Sequence, residues 1–285
     1  MLKTGIISTA YFGYDDYADG LKKAKSHGYD CVDFQGFISP SSPLYAYGET
    51  ELRNYLDDLK SAADDAGVKL WQMHGLWPHD DATKESRAEV LLRHKKAIEA
   101  AGRLGVKYFV LHPAMPYGWG QEPSLDEVYD ITAERFYALL PTARENGVVL
   151  CIENMPFSKG HSFSCVKDIK DFVRRIDDES LKACFDSGHC FVTGDDHYDA
   201  IKLLCSDLAA LHLHDDRSGQ DRHLIPFQGD IDWNKVIAAL REINFSGCIS
   251  LETAISENTP QPIKERMQIS LAEIARYIAR EITKK

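Results

Sequence analysis

The sequence has no apolar run approaching the roughly 20 residues that a membrane helix needs. Its first stretch, MLKTGIISTAYFGYDD, is too short and too interrupted to read as a secretion signal. No membrane partner and a cytoplasmic location are therefore expected. Basic residues are outnumbered by acidic ones, 33 to 44, and the formal net charge is −11. A surface that binds nucleic acid usually carries a basic stripe that releases phosphate counterions; none is visible, so no nucleic-acid partner is expected. The seven cysteines are an odd number without a CxxC pair. Cys31, Cys151, Cys184 and Cys248 sit inside apolar runs, which reads as small buried thiols in a reducing compartment, not as ligands or nucleophiles. A GxGxxG turn after the first strand is also missing, which argues against an open doubly wound sheet. No linker, low-complexity tract or break in composition divides the 285 residues, and 1–285 is read as one domain.

What is present is a strict alternation of strand and helix. Near-continuous apolar runs predict strands at 3–7, 30–34, 69–73, 107–111, 148–152, 182–186, 208–213 and 247–251. Between them, apolar residues at spacings of three and four predict helices at 15–27, 49–66, 83–104, 125–145, 165–177, 197–206, 232–243 and 262–281. Several of these helices end at a Gly, as in His27-Gly28, Ala66-Gly67, Leu104-Gly105 and Asn146-Gly147. Eight βα units in a chain of this length predict an α/β fold, a single (β/α)8 TIM barrel, which typically needs about 250 residues.

At the ends of these strands stand metal-capable side chains. His74 closes KLWQMH, His112 closes YFVLH, Glu153 closes VVLCIE, Asp186 closes KACFD, His212 follows LAAL and Glu252 closes CISLE. In a parallel barrel all strand C-termini open on one rim, so these groups converge there. Burying Glu153, Asp186 and Glu252 together is prohibitive unless a cation holds them. Glu153, Asp186, His212 and Glu252 form an oxygen-rich set suited to Mn²⁺, Mg²⁺ or Co²⁺, whereas added imidazoles pull toward Zn²⁺. More than one ion is compatible with the chain: His74 and His112 complete a second site sharing Glu153, and His189 with Asp221 and His223 a third. In His212-Leu213-His214-Asp215 the two imidazoles point the same way on a strand, so periodicity leaves both open as ligands.

The motifs MHG, LHP, IEN, FDSGH, HLHD, DRH and LET resemble, in order and along the whole chain, the xylose isomerase-like TIM-barrel superfamily, which joins endonuclease IV with sugar phosphate isomerases and epimerases. By that resemblance Glu153, Asp186, His212 and Glu252 match the ligands of a single catalytic metal in the ketose 3-epimerase branch. The family pattern favours His212 over His214, which is left a supporting or substrate contact. Residues matching His189 and Arg217 touch substrate hydroxyls there. The resemblance to endonuclease IV covers His74, His112, Glu153, Asp186, His189, His212, Asp221, His223 and Glu252, a three-zinc set. The segment from Arg217 to Trp233 departs from the sugar-isomerase pattern at Phe227-Gln228, and Asp232 reads as a helix N-cap.

Ligands alone thus fit two chemistries, and the loops between them separate the two. They are acidic and aromatic, with Lys84 nearly their only cation. Tyr11, Phe12, Phe37, Trp77, Tyr117 and Trp119 suit either stacking on a small sugar or capping the barrel. His74, Trp119, His189 and Arg217 are the expected substrate contacts. The expected activity is a divalent-metal-dependent sugar or sugar phosphate isomerase or epimerase of carbohydrate metabolism, with Glu153 and Glu252 exchanging a proton with carbon through an enediolate. Phosphate-binding signals are weak, which leans the substrate toward an unphosphorylated sugar or polyol. The alternatives are an endonuclease IV-like abasic-site phosphodiesterase, an inosose dehydratase-like lyase and a binding protein without turnover. A homo-oligomer is compatible with everything above.

Overall fold

The computed structural model describes residues 2–116, 124–156, 163–253, 255–256 and 258–284. Among them run eight parallel strands in a ring: β1 (Lys3–Ile7), β2 (Cys31–Phe34), β3 (Lys69–His74), β4 (Tyr108–Leu111), β5 (Val149–Glu153), β6 (Leu181–Asp186), β7 (Leu208–His212) and, numbered last in the chain, β10 (Cys248–Leu251). Neighbours pair in the order β10-β1-β2-β3-β4-β5-β6-β7. The ring closes through Leu213, whose amide donates to Ser250 O at 3.0 Å while its carbonyl accepts the Glu252 amide at 3.0 Å. The fold is a single (β/α)8 barrel.

The helices α1 (Tyr17–His27), α2 (Glu49–Ala66), α3 (Lys84–Leu104), α4 (Leu125–Glu145), α5 (Val166–Ile176), α7 (His197–Leu204), α8 (Trp233–Glu242) and α9 (Gln261–Thr283) lie between the strands close to where periodicity puts them. Thr83 and Ser86 start α3 with a reciprocal capping box. Gly105 ends it at φ 74°, a left-handed turn that a side chain would strain. Two elements differ from the sequence reading. A short helix, α6 (Ser187–Thr193), follows β6 directly, and the segment after β7 is an antiparallel hairpin of β8 (Asp215–Arg217) and β9 (Gln220–Leu224). The helix spans only seven residues and the hairpin strands are short and polar, so neither leaves an apolar period.

Alternation along the strands sorts the barrel interior into layers. Two residues before His112, Glu153, Asp186 and His212 stand Val110, Cys151, Cys184 and Ala210, which form a buried cluster of their own. Small thiols therefore fill the layer beneath the strand-end ligands, as their apolar surroundings suggest. Of the cysteines, Cys205 is exposed and Cys165 half-buried; the others are buried, and all are free.

A buried ion network braces the rim on the β3–β4 side. His79 Nδ1 lies 2.9 Å from Asp81 Oδ2, which also accepts the Met115 amide at 2.8 Å, and Arg135 of α4 bonds the other Asp81 oxygen. Burial would raise the Asp81 carboxyl, but Arg135 and His79 outweigh it and hold it below the usual carboxylate range. Asp81→Ala is expected to destabilise the protein by about 3–5 kcal/mol, because it strands the Arg135 charge in the interior. Urea unfolding measures this, and an unchanged midpoint would show the network to be dispensable. Since the folded pKa of Asp81 is depressed, its contribution is present above its unfolded pKa of about 4 and is lost as pH falls below that value.

Candidate metal centre and active site

Strand register brings the site together before any side chain is considered. Asp186 and His212 are direct partners across β6 and β7, and Glu153 pairs with Cys184 two positions back on β6. Glu153, Asp186, His212 and Glu252 each offer a ligand atom, and all four atoms lie within 4.8 Å of one another. His212 Nδ1 is 2.9 Å from Glu153 Oε1 and 3.1 Å from Glu252 Oε2. Asp186 and His212 are fully buried and Glu153 is 1 % exposed.

His74 and His112 face the same carboxylate from β3 and the end of β4. Their Nε2 atoms are 3.2 Å apart, and each approaches Glu153 Oε2, at 3.5 Å and 3.1 Å. The His74 ring is fixed by its Nδ1, which donates to Gly75 O at 2.8 Å. His189, on α6, is fixed in the same way by donation from Nδ1 to Asn154 O at 2.7 Å, which leaves Nε2 3.4 Å from Asp221. Asp221 lies in turn 3.3 Å from His223 Nε2. Backbone acceptors of this kind choose which ring nitrogen faces the site.

His214 does not join the four-residue group. Its Nε2 donates to Asp186 Oδ2 at 3.1 Å, its ring stacks on His223 at 4.0 Å, and its ligand atom groups with Asp221 and His223. The third cluster therefore gathers around His214 as well as His189. Gly188 permits this packing, since a Cβ there would meet His214 Cε1 at 1.9 Å and Asp216 Oδ2 at 2.2 Å. Arg217 stays outside the cluster: its guanidinium bonds Gln228 O, approaches Asp230 at 3.9 Å and is 57 % exposed. Trp119 and Tyr117 lie outside the described residues. Of the other aromatics, Phe12 and Phe37 are core, Tyr11 bonds His27, and Trp77 packs edge-on against His112 at 4.5 Å.

The environment separates the two glutamates. Burial would raise the Glu153 carboxyl, but His212 and His112 outweigh it and hold it well below the usual range. For Glu252 burial prevails over His212 and His223, and its pKa is raised. Burial pushes His112 down to about 3, whereas His189, despite burial, is raised to about 10 by Asp186 and Asp221. A buried group with this many carboxylates has the donor set of a divalent-cation site.

Sequence reasoning passed over Asp33, Gln72 and Asn154. Asp33 is fully buried, and its Oδ2 accepts from His212 Nε2 at 3.0 Å and from Gln72 Nε2 at 2.9 Å. An acid inside the apolar run CVDF was the available signal. Asn154 clasps Asp186 twice through its side-chain amide, at 3.0 and 2.9 Å.

This chain belongs to the xylose isomerase-like TIM barrel family, whose model matches residues 21–274. A D-psicose 3-epimerase of Ruminiclostridium cellulolyticum is 23% identical over 248 residues, covering 83% of this chain and 78% of the relative. A probable endonuclease 4 of Mycoplasmopsis agalactiae is 28% identical over 177 residues, 57% of this chain and 61% of its own. An uncharacterized protein of Methanocaldococcus jannaschii is 28% identical over 161 residues, a match that spans about half of each chain, 55% and 54%. Among solved structures, D-psicose 3-epimerase with D-tagatose from Clostridium cellulolyticum H10 superposes with a TM-score of 0.80 at 18% identity, covering 97% of this chain and 99% of that one.

Proposed function

We propose that this protein is a divalent-metal-dependent epimerase or isomerase of a small, unphosphorylated keto sugar or polyol. The observation that carries the reading is the pair Glu153 and Glu252, which converge with Asp186 on one cluster from either side of His212 Nδ1, at 2.9 and 3.1 Å. Glu153, Asp186, His212 and Glu252 would hold the cation, of the Mn²⁺, Mg²⁺, Co²⁺ or Zn²⁺ type. When bound, it supplies a Lewis acid that polarises the sugar carbonyl and its neighbouring hydroxyl.

The remaining work falls to the chain. Glu153, kept ionised by His212 and His112, takes the proton from the carbon beside the carbonyl. Glu252, reaching the cluster from the opposite side of His212, returns a proton to the other face, and the roles exchange in the reverse direction. His189, oriented by Asn154, presents Nε2 for a substrate hydroxyl. Trp77 and His112 form an aromatic wall suited to the apolar face of a sugar ring. Relatives and structural neighbours that act on D-psicose and inosose support this substrate class.

Turnover is checked by incubating metal-loaded protein with D-fructose, D-psicose, D-tagatose and inososes in deuterium oxide. Deuterium should enter at the carbon beside the carbonyl, whatever the stereochemical outcome. A dehydrated product would replace the reading by a lyase. A second reading, a phosphodiesterase holding several ions, is favoured by the approach of His74 and His112 to Glu153 Oε2 and by Asp221 between His189 and His223. Nicking of abasic duplex DNA without exchange into any sugar would make it the correct one. The net charge of −11 weighs against it, since the phosphate backbone demands cationic contacts.

A further inference from the structure

Asp33 has no place in the chemistry described so far, yet it is fully buried directly behind His212. It stands on β2, across the ring from β7, and is register partner to Gln72 of β3. The single Gln72 amide group donates both to Asp33 Oδ2, at 2.9 Å, and to the Leu211 carbonyl, at 3.2 Å. Gln72 thus ties the carboxylate to the backbone of β7 immediately before His212. The carboxylate cannot rotate away without breaking that tie.

From this geometry we infer that Asp33, held by Gln72, fixes His212 in the tautomer protonated at Nε2, so that the Nδ1 lone pair is the atom offered to the cation. The inference rests on the metal-site reading of Glu153, Asp186, His212 and Glu252. An imidazole has two nitrogens, and only the one not carrying the proton can ligate. The carboxylate accepts only, so the nitrogen facing it must carry the proton. The opposite nitrogen, Nδ1, already points between Glu153 and Glu252. His74 and His189 are oriented by neutral backbone carbonyls. For His212 the acceptor is an anion, which also makes Nδ1 a stronger donor. Asp33 is therefore a positioning residue that reaches the reaction only through His212.

The test is cobalt(II) titration read by its visible absorption, together with histidine-selective nitrogen NMR of the zinc-loaded protein. In the wild type His212 should show a coordinated Nδ1 and a slowly exchanging Nε2 proton. Asp33→Ala should weaken cobalt binding by about 10- to 100-fold and lose that protected proton. Asp33→Asn, whose amide oxygen still accepts from Nε2, should retain the tautomer and most of the affinity. Coordination of His212 through Nε2 in the wild type overturns the inference even if the alanine variant fails to fold. Unchanged affinity in a folded Asp33→Ala also overturns it, and leaves the metal site standing. A wild-type protein that binds neither ion overturns the metal reading itself and the inference with it.

Discussion

Glu153→Gln and Glu252→Gln are each expected to lower kcat on a keto sugar by at least about 10³-fold, toward the upper range for loss of a positioned acid or base. The glutamine keeps the shape of the side chain and removes the carboxylate that exchanges the proton. Each variant retains one of the two carboxylates, and that makes the outcome specific. In deuterium oxide, one variant should still wash deuterium into one epimer, and the other variant only into the opposite epimer. A simple loss of metal would abolish exchange from both sides, so cobalt occupancy is measured alongside. Folding should be preserved: burial already disfavours the charge on Glu252, and melting of the metal-free Glu252→Gln protein should be no lower than that of wild type. Full turnover in both variants would remove the glutamates from the mechanism.

Chelation has the second large effect. Removing divalent ions should reduce turnover to the uncatalysed background, and adding Mn²⁺, Co²⁺, Mg²⁺ or Zn²⁺ should restore it to differing extents. The same cation should stabilise the fold, because the unfolded chain lacks the assembled cluster. At a free concentration 100 times Kd the gain is about 2.7 kcal/mol, which for a domain of this size is a rise in Tm of roughly 4–5 °C. The melting arm matters because it does not depend on choosing the correct sugar. Protein that is metal-free by elemental analysis yet fully active would sink the proposal.

The two glutamates and their partners were legible in the sequence because a parallel barrel turns one simple rule, an acid or imidazole at the end of each apolar run, into a common rim. Register supplies the rest, and it is not legible. Whether His212 or His214 faces Glu153 depends on how far β7 slides against β6, where the ladder shifts between Ala183 and Cys184. Both residues share a strand face, and only that slide separates them. Asp33 escaped for a related reason: it lies one position before the end of β2, next to another irregularity between Val32 and Asp33, so it enters the layer beneath the ligands. Arg217 and the β8–β9 hairpin have no apolar period to reveal them, and the side chain turns toward Gln228. Where burial dictated residue type, sequence sufficed; where a few hydrogen bonds chose the local path, it did not.

The joint through Leu213 gives the ring an uneven mechanical character. Neighbouring strands elsewhere share three or four register partners, but β7 meets β10 at the single pair Leu213 and Leu251. Topologically the molecule is a long ribbon curled until its ends touch, with a two-bond clasp. That clasp falls between His212 and Glu252, so the two side chains that meet across it sit on opposite lips of the weakest join. Amides of Leu213 and Glu252 are accordingly the places where the closed barrel opens most readily to solvent exchange, and whatever draws His212 and Glu252 together also fastens the ends of the ribbon.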